Sequence, residues 1–581
     1  MPEESAQNSP EKLGDSDGGF TVAELVQDSV RLQEEQRGSR SVIGSALLIS
    51  AATFLSRFLG LARDILMASL FGFSAGMDAF FLAFTVPNLF RKLFGEGALA
   101  SATIPVLTRY KIINDKAAAR RYLGTLSTIL FIGLGGVTVL ILGAAWLLPS
   151  DLFGDPEKYE TFRLFLTILL PYVIFICLAA LQSGALNCHN RFGIPALMPA
   201  LANLIWIGML VYLLYAGFDA TTGLVVMAVG VLTTGLIQWG GQLPEMSKLK
   251  LLAKPQLRLS DKGVRDTFKA MAPMLFALAV FQINVFLDQV LAEALVEGDG
   301  AVSSYSYASR LFQFPLGLVG VALSTAMFPL MSRFAASKEL EKLTASLLNS
   351  ARLLLFISLP AAFGLAALSY PITDLLYGGA NSTPEMLERS AFVVMLLAVS
   401  LPIVILISLL TKSCYAMRDY KTPTRIALLA VGVNIVANVI LLQTPLKEAG
   451  LALGTGISGI LNLALLIVAL RKKLKGTIVE SMRAAAIPQT SERMAQPMSP
   501  SRVKAIPFSV ARSFVIAALM GAAALFAEQA LYGQWGITGR TSRMISVLSG
   551  VGVGMAVYAS LSLLLKAPEV AQVLSLRKRR K

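Results

Sequence analysis

Charge is scarce in this 581-residue chain: 15% of residues are Asp, Glu, Lys or Arg, against 55% hydrophobic. A soluble protein of this length carries about a quarter charged residues and divides into several domains. With so little charge a soluble surface would be left uncovered, so the expected solvent is lipid. Histidine is limited to His189 and cysteine to Cys177, Cys188 and Cys414. That scarcity excludes a disulfide scaffold, a zinc cluster and any histidine-based triad. His189 falls in a short polar loop without a neighbouring cysteine or acid cluster and reads as solvated; the cysteines read as packing residues. The expectation is a polytopic membrane protein, not an enzyme, with no cofactor and no firm metal site.

What charge there is sums to +15. The basic residues sit in short clusters between long apolar runs, which is a topological pattern and not a nucleic-acid footprint. Residues 1–42 differ from the rest. Through residue 40 they hold nine acids and four bases with little apolar content, and read as a disordered, acidic cytoplasmic extension. No short apolar stretch follows a basic start, so this segment does not read as a signal peptide.

From residue 43 the chain becomes a series of apolar stretches near the roughly 20 residues that a spanning helix needs. About fourteen are expected: 43–70, 77–108, 122–148, 161–186, 194–216, 220–240, 271–294, 302–332, 347–370, 390–413, 424–442, 449–470, 509–531 and 543–566. Basic loops follow the even-numbered stretches, with Arg109, Lys111, Arg120 and Arg121 in one and Lys248, Lys250, Lys254 and Arg258 in another. The loops after odd-numbered stretches are neutral or acidic, as at Asp151, Asp155 and Glu157. The positive-inside rule then places both termini in the cytoplasm.

The chain also repeats itself. Residues 98–110 (ALASATIPVLTRY) parallel 322–334 (ALSTAMFPLMSRF), and the polar loop and proline of 187–195 parallel those of 415–423. The offsets, 224 and 228 residues, make six helices recur as six helices in the same orientation, a transporter plan of two lobes around a central cavity. The expected organisation is an all-α membrane protein with an N-lobe at 43–240, a basic linker at 241–270, a C-lobe at 271–471, a polar linker at 472–507, a final helix pair at 508–566 and a basic tail at 567–581.

Charges inside spanning segments are costly and mark function by default. The first helix carries Arg57, Arg63 and Asp64; the second carries Asp78, then Arg91, Lys92 and Glu96 behind Pro87; the eighth carries Arg310. Pro87, Gly95 and Gly97 predict a kink or break in the second helix. The four arginines, from three helices, are placed to line one inter-lobe cavity, and guanidinium is a natural receptor for a diphosphate. The competing reading makes each arginine an ion-pair partner of Asp64, Asp78 or Glu96. Asp288, Asn434, Asn438 and Thr455 offer oxygen ligands for a coupling-ion site, or alternatively an interhelical hydrogen-bond network. The G-x-G-x-x-G at 454–459 lies in an apolar run with no preceding strand and reads as helix packing.

The segments SRFLGLARD (56–64), DAFFLAFTVPNLFRKLFGEGALASATIPVLTRY (78–110) and YASRLFQFPLGLVGVALSTAMFPLMSRF (307–334) resemble the MurJ (MviN) family of lipid II flippases, within the larger group that includes MATE exporters. The resemblance covers about residues 43–470. It implies fourteen helices, and a groove formed with the last two that holds a polyprenyl tail. It also implies that Arg57, Arg63, Arg91 and Arg310 bind the diphosphate-sugar headgroup, while Asp78 and Glu96 match important acids. Family members often carry Asp before the eighth-helix arginine, where this chain has Ser309, which puts an acidic gate partner there in doubt. The implied substrate is lipid II, the undecaprenyl-diphosphate-linked disaccharide peptide, moved among membrane lipids by alternating access, with no nucleic acid involved. No ATP-binding motif is present, so drive would come from Na+, H+ or membrane potential. The alternatives are a MATE-like exporter of small solutes or a flippase of another polyprenyl-linked glycan.

Overall fold

The structure, a computed structural model, describes residues 48–150, 155–474, 506–535 and 539–570. The acidic segment 1–42, most of the 472–507 linker and the tail from 571 lie outside the described residues. All regular structure among the described residues is helical. In lipid, a helix satisfies its own backbone hydrogen bonds, whereas an open strand edge would leave them unpaired.

Helix α1 covers residues 48–71. The second pass is α2 (Ala75–Phe90), a π-helical stretch at Arg91–Ala98 and α3 (Leu99–Ile112). There follow α4 (Lys116–Leu147), α5 (Pro156–Leu169) continued by α6 (Tyr172–Cys188), α7 (Gly193–Ala216), and α8 (Ala220–Gly240) with the short α9 (Leu243–Lys248). The second set is α10 (Lys262–Leu295), α11 (Ala301–Pro315) with a π-helical stretch at Leu316–Val321 and α12 (Ala322–Ala336), α13 (Leu340–Ala367), the short α14 (Ser369–Tyr377), α15 (Pro384–Ala416), α16 (Lys421–Leu442) and α17 (Ala449–Lys473). The last pair is α18 (Ile506–Trp535) and α19 (Arg540–Leu564), packed on each other and on α13.

The repeat read from the sequence reappears as backbone geometry. Left-handed turns at Asn114 and Lys338, 224 residues apart, recur at Asn190 and Arg418 and at Gly72 and Gly300, each 228 apart. The two π-helical stretches interrupt the second and eighth passes at matching places. Such stretches insert an extra residue and concentrate at functional sites. The predicted break near Pro87 takes this form: α2 runs through Pro87 and opens into the π stretch at Arg91.

Eleven helices among the described residues are long and apolar enough to cross a membrane, against the fourteen expected. The expected passes outside that count are α1, α2–α3 and α11–α12. The first carries Arg57, Arg63 and Asp64, and the other two are broken into shorter helices by their π stretches. The same charges and breaks that lower their apolar score build the site below.

The turns at 113–115, 189–192 and 417–420 share one end of the bundle with Lys111, Arg191, Arg418 and Lys421, here termed the basic end. The opposite end holds the turns at 72–74, 217–219, 296–300 and 378–383.

Candidate functional site

A cavity of about 740 Å³ is walled by the first lobe and bounded on one side by Arg310 and Gln313 of the eighth pass. It runs from Asp64 and Arg310 at mid-bundle to Ile49, Asn187 and Phe192 at the basic end. Its described lining includes four cationic side chains, Arg63, Arg91, Lys92 and Arg310, and one carboxylate, Asp64.

Asp64 is buried and serves both lobes. It accepts from Arg63 of its own helix, Nε at 3.0 Å, and from Arg310 of α11 across the interface. The carboxylate that Ser309 does not supply to Arg310 therefore comes from the other lobe. Arg63 is further fixed by Nη1 donating to Asn203 Oδ1 at 3.0 Å and by stacking over Trp206, with Cζ 4.4 Å from the ring centroid. Asn203 in turn donates to the Ser56 carbonyl at 3.0 Å. Arg310 lies 5.1 Å from the Phe81 ring centroid, and Arg91 Nε donates to Asn88 Oδ1 at 2.9 Å. Planar guanidinium groups held by stacking and amides are pre-organised, so little side-chain entropy is lost when an anion binds.

Not every expected residue gathers there. Arg57 is absent from the cavity lining; it is exposed, and its guanidinium lies against Gly317 in the π stretch of the eighth pass, where a Cβ would come within 2.1 Å of Nη1. Glu96 has a side chain outside the described residues. The ion-pair reading and the cavity reading hold together for Arg63 and Arg310, which pair with Asp64 while lining the cavity. The sequence reading missed Asn88, Asn203, Trp206, Gln238, Gln242 and Gln313 in the same wall. Amides interrupting the apolar runs at 194–216 and 220–240 were the available signal.

At the opposite end the lobes are closed. Asp78, buried at the start of α2, accepts from the backbone N–H groups of Gly300 and Ser303 at 2.7 Å each, capping α11 of the other lobe. An anion is favoured at that helix N-terminus, where unpaired N–H groups carry partial positive charge. Lys158 pairs with Asp299 at 2.9 Å, Asn381 Nδ2 donates to the Leu70 carbonyl at 2.7 Å, and Phe73 packs edge-on against Tyr307.

In the second lobe, Asn438 Nδ2 donates to Asp288 Oδ1 at 2.7 Å and to Asn434 Oδ1 at 3.1 Å, and Asn284 Nδ2 donates to Asn434 Oδ1 at 3.0 Å. The Tyr305 side chain faces Asp288, Ser309 and Thr455. The buried Oδ1 atoms of Asn284 and Asn438 accept no hydrogen bond. Gly454, from the G-x-G-x-x-G stretch, lets α17 approach this network: a Cβ there would lie 2.1 Å from Asn438 Oδ1. Among the described residues, no group of three or more His, Cys, Asp or Glu side chains is placed to hold a metal ion.

A second, apolar cavity of about 320 Å³ lies between α13 and the final pair, lined by Pro360, Gly364, Met520, Ala524, Gly554 and Met555 among others.

Comparison with known proteins is consistent in direction. A family model described as lipid II flippase MurJ matches residues 67–546. A probable lipid II flippase MurJ of Vibrio cholerae serotype O1 is 32% identical over 542 residues, covering 91% of this chain and 97% of its own. A lipid II flippase MurJ of Burkholderia cenocepacia is 32% identical over 435 residues, covering 74% and 83%. Among solved structures, a lipid II flippase MurJ in an inward closed conformation superposes with a TM-score of 0.66 at 24% identity over 89% of this chain and 99% of its own. An inward-facing multidrug MATE transporter gives 0.64 at 15% identity over 75% and 99%; both likenesses concern the fold.

Proposed function

The chain belongs to the lipid II flippase MurJ family, and we propose that it carries lipid II, an undecaprenyl-diphosphate-linked disaccharide peptide, from the inner to the outer leaflet of a bacterial cytoplasmic membrane. The observation that carries this reading is the first-lobe cavity bounded by the eighth pass, where Arg63, Arg91 and Arg310 converge with one shared carboxylate.

With the basic end in the cytoplasm, as the positive-inside rule directs, the cavity faces the leaflet in which the substrate is made. The diphosphate exchanges its hydration for the arginine forks and competes with Asp64 for them. The polyprenyl chain remains in an apolar environment, and the cavity between α13, α18 and α19 supplies one inside the bundle. Because Asp64 joins Arg63 to Arg310 across the lobes, an anion that takes over either arginine weakens a contact of the closed state. Release of the Asp78 cap and of the Lys158–Asp299 pair would then open the far end as the lobes rock. Nothing in this cycle breaks a covalent bond.

For coupling, Asp288, Asn434, Asn438 and Thr455 fit a small hard cation such as Na+. The side-chain oxygens of these residues suit a hard cation, and Oδ1 of Asn438, whose Nδ2 donates to Asp288, is buried and accepts no hydrogen bond. A bound cation there would neutralise Asp288 and tie α10 to α16; H+ and the membrane potential are the competing sources, separated by transport assays at clamped ion gradients.

Depletion in the native host, followed by measuring which leaflet holds lipid II, tests the reading. Lipid II retained inside is expected. Normal outward exposure in a host with no second flippase would overturn it, and drug hypersensitivity with intact lipid II transport would favour an exporter. Arg310→Ala should abolish complementation while the protein still reaches the membrane.

A further inference from the structure

A cation on the second lobe remains unused. Lys412 lies within α15, half-buried, and its ammonium donates to Ser324 Oγ at 2.9 Å and Thr325 Oγ1 at 2.8 Å on α12. Both partners are neutral, and among the described residues no carboxylate reaches it within ion-pair distance. A lysine inside a spanning helix with only hydroxyl partners is costly unless it faces water or an anion.

The internal repeat shows that the helix crossing does not need this charge. At an offset of 228, the counterpart of Lys412 is Gly184 of α6, and at 224 those of Ser324 and Thr325 are Ala100 and Ser101. Gly184 packs directly on Ala100 and Thr103 of α3, so the first lobe makes the same crossing with small side chains and no cation. The lysine is a feature of one lobe, added to an architecture that closes without it.

Its position continues a line of cations down the eighth pass. Arg310 lies on α11; seven residues on, Gly317 receives the Arg57 guanidinium; eight further on, across the π stretch, Thr325 receives Lys412. Seven residues are about two α-helical turns, and a π stretch absorbs one extra residue, so 310, 317 and 325 fall close to one face. That face meets α1 twice, through the Asp64–Arg310 pair and through Arg57 on Gly317, so it is the face that the eighth pass turns to the first lobe. From 310 to 325 the helix spans roughly 22 Å.

We propose that Lys412 is a second anion subsite, which binds a carboxylate of the substrate's peptide while the arginines at mid-bundle bind the diphosphate. The assignment rests on the lipid II reading above. An extended peptide reaches about 3.4 Å per residue, so a short peptide together with the sugar to which it is attached spans that distance. The two subsites then measure headgroup length, and an undecaprenyl diphosphate without a peptide fills only the first.

The test uses the purified full chain in lipid nanodiscs and three ligands: lipid II, undecaprenyl diphosphate, and lipid II with its peptide carboxylates converted to amides. Lys412→Gln should weaken lipid II binding about tenfold, the scale of one charge-assisted contact, and leave undecaprenyl diphosphate binding unchanged. Amidated lipid II should bind the parent protein as weakly as lipid II binds the variant, and Lys412→Arg should retain most of the affinity. Unchanged lipid II binding by Lys412→Gln, or equal weakening of both natural ligands, would overturn the subsite. Failure of the flippase reading looks different: the parent then binds none of the three, or Arg310→Ala binds undecaprenyl diphosphate as well as the parent does.

Discussion

Replacing Asp78 by Asn tests whether the far-end closure is held by a helix cap. The Asp78 carboxylate takes two backbone N–H groups of α11 at 2.7 Å each, in a site excluded from solvent. A hydrogen bond to a charged group contributes about 1.5–3 kcal/mol net. Asn keeps one acceptor oxygen but turns an N–H group toward the second donor, and it loses the charge that the helix terminus favours. The loss is therefore about 3 kcal/mol, and it falls on the closed state alone if opening separates α2 from α11. A bias of that size shifts the open-to-closed ratio roughly 150-fold. Spin labels at the exposed positions Tyr215 and Glu385, one on each lobe at this end, would report the change by pulsed distance measurement, with Cys188 replaced to prevent stray labelling. The longer-distance population should grow from minor to dominant. An unchanged distribution in folded protein would refute the cap as the device that holds this end shut.

Arg63→Lys keeps the charge but loses both the Trp206 stacking and the planar fork shared between Asp64 and Asn203; complementation should fall sharply, whereas a lysine protein with full growth would show that charge alone suffices. Gly454→Val drives side-chain atoms into Asn438 and breaks its bond to Asp288, so the unfolding temperature and any sodium dependence of transport should fall together. Beyond the last spanning helix, Glu569 is buried with Arg352 and Arg512 against α13 and α18, and Glu569→Ala should cost about 3–5 kcal/mol by leaving Arg352 unpaired; thermal unfolding in detergent measures it. Burial alone would raise the Glu569 carboxyl, but hydrogen bonds from Arg352 and Ser509 hold it below its ordinary value. That clamp is fully present above about pH 4.3 and is lost as pH falls through the depressed value, so acid should loosen the final helix pair in the parent and not in Glu569→Ala.

Much of this was readable in the residues because lipid simplifies the rules. A helix must be apolar over its length, so the runs mark the passes and their rare charges mark the site. Arg63, Asp64, Arg91 and Arg310 were found that way and meet in one cavity. Partners were less legible: the competing ion-pair reading offered Asp78 an arginine, whereas it takes the backbone of Gly300 and Ser303, which no side-chain pattern announces. Arg57 was grouped with the cavity arginines because it shares α1 with Arg63. Six residues apart on a helix is more than one and a half turns, and that rotation sends it to Gly317 instead.

The sequence alone determined the solvent, the helical class, the two-fold internal repeat and the short list of charges worth asking about. Each depends only on local composition and period. The tertiary structure decided how those charges are shared: one carboxylate between Arg63 and Arg310, a lysine on hydroxyls where the other lobe has glycine, and a closed far end opposite an open basic end. These are relations between helices hundreds of residues apart, fixed by how the lobes pack against each other.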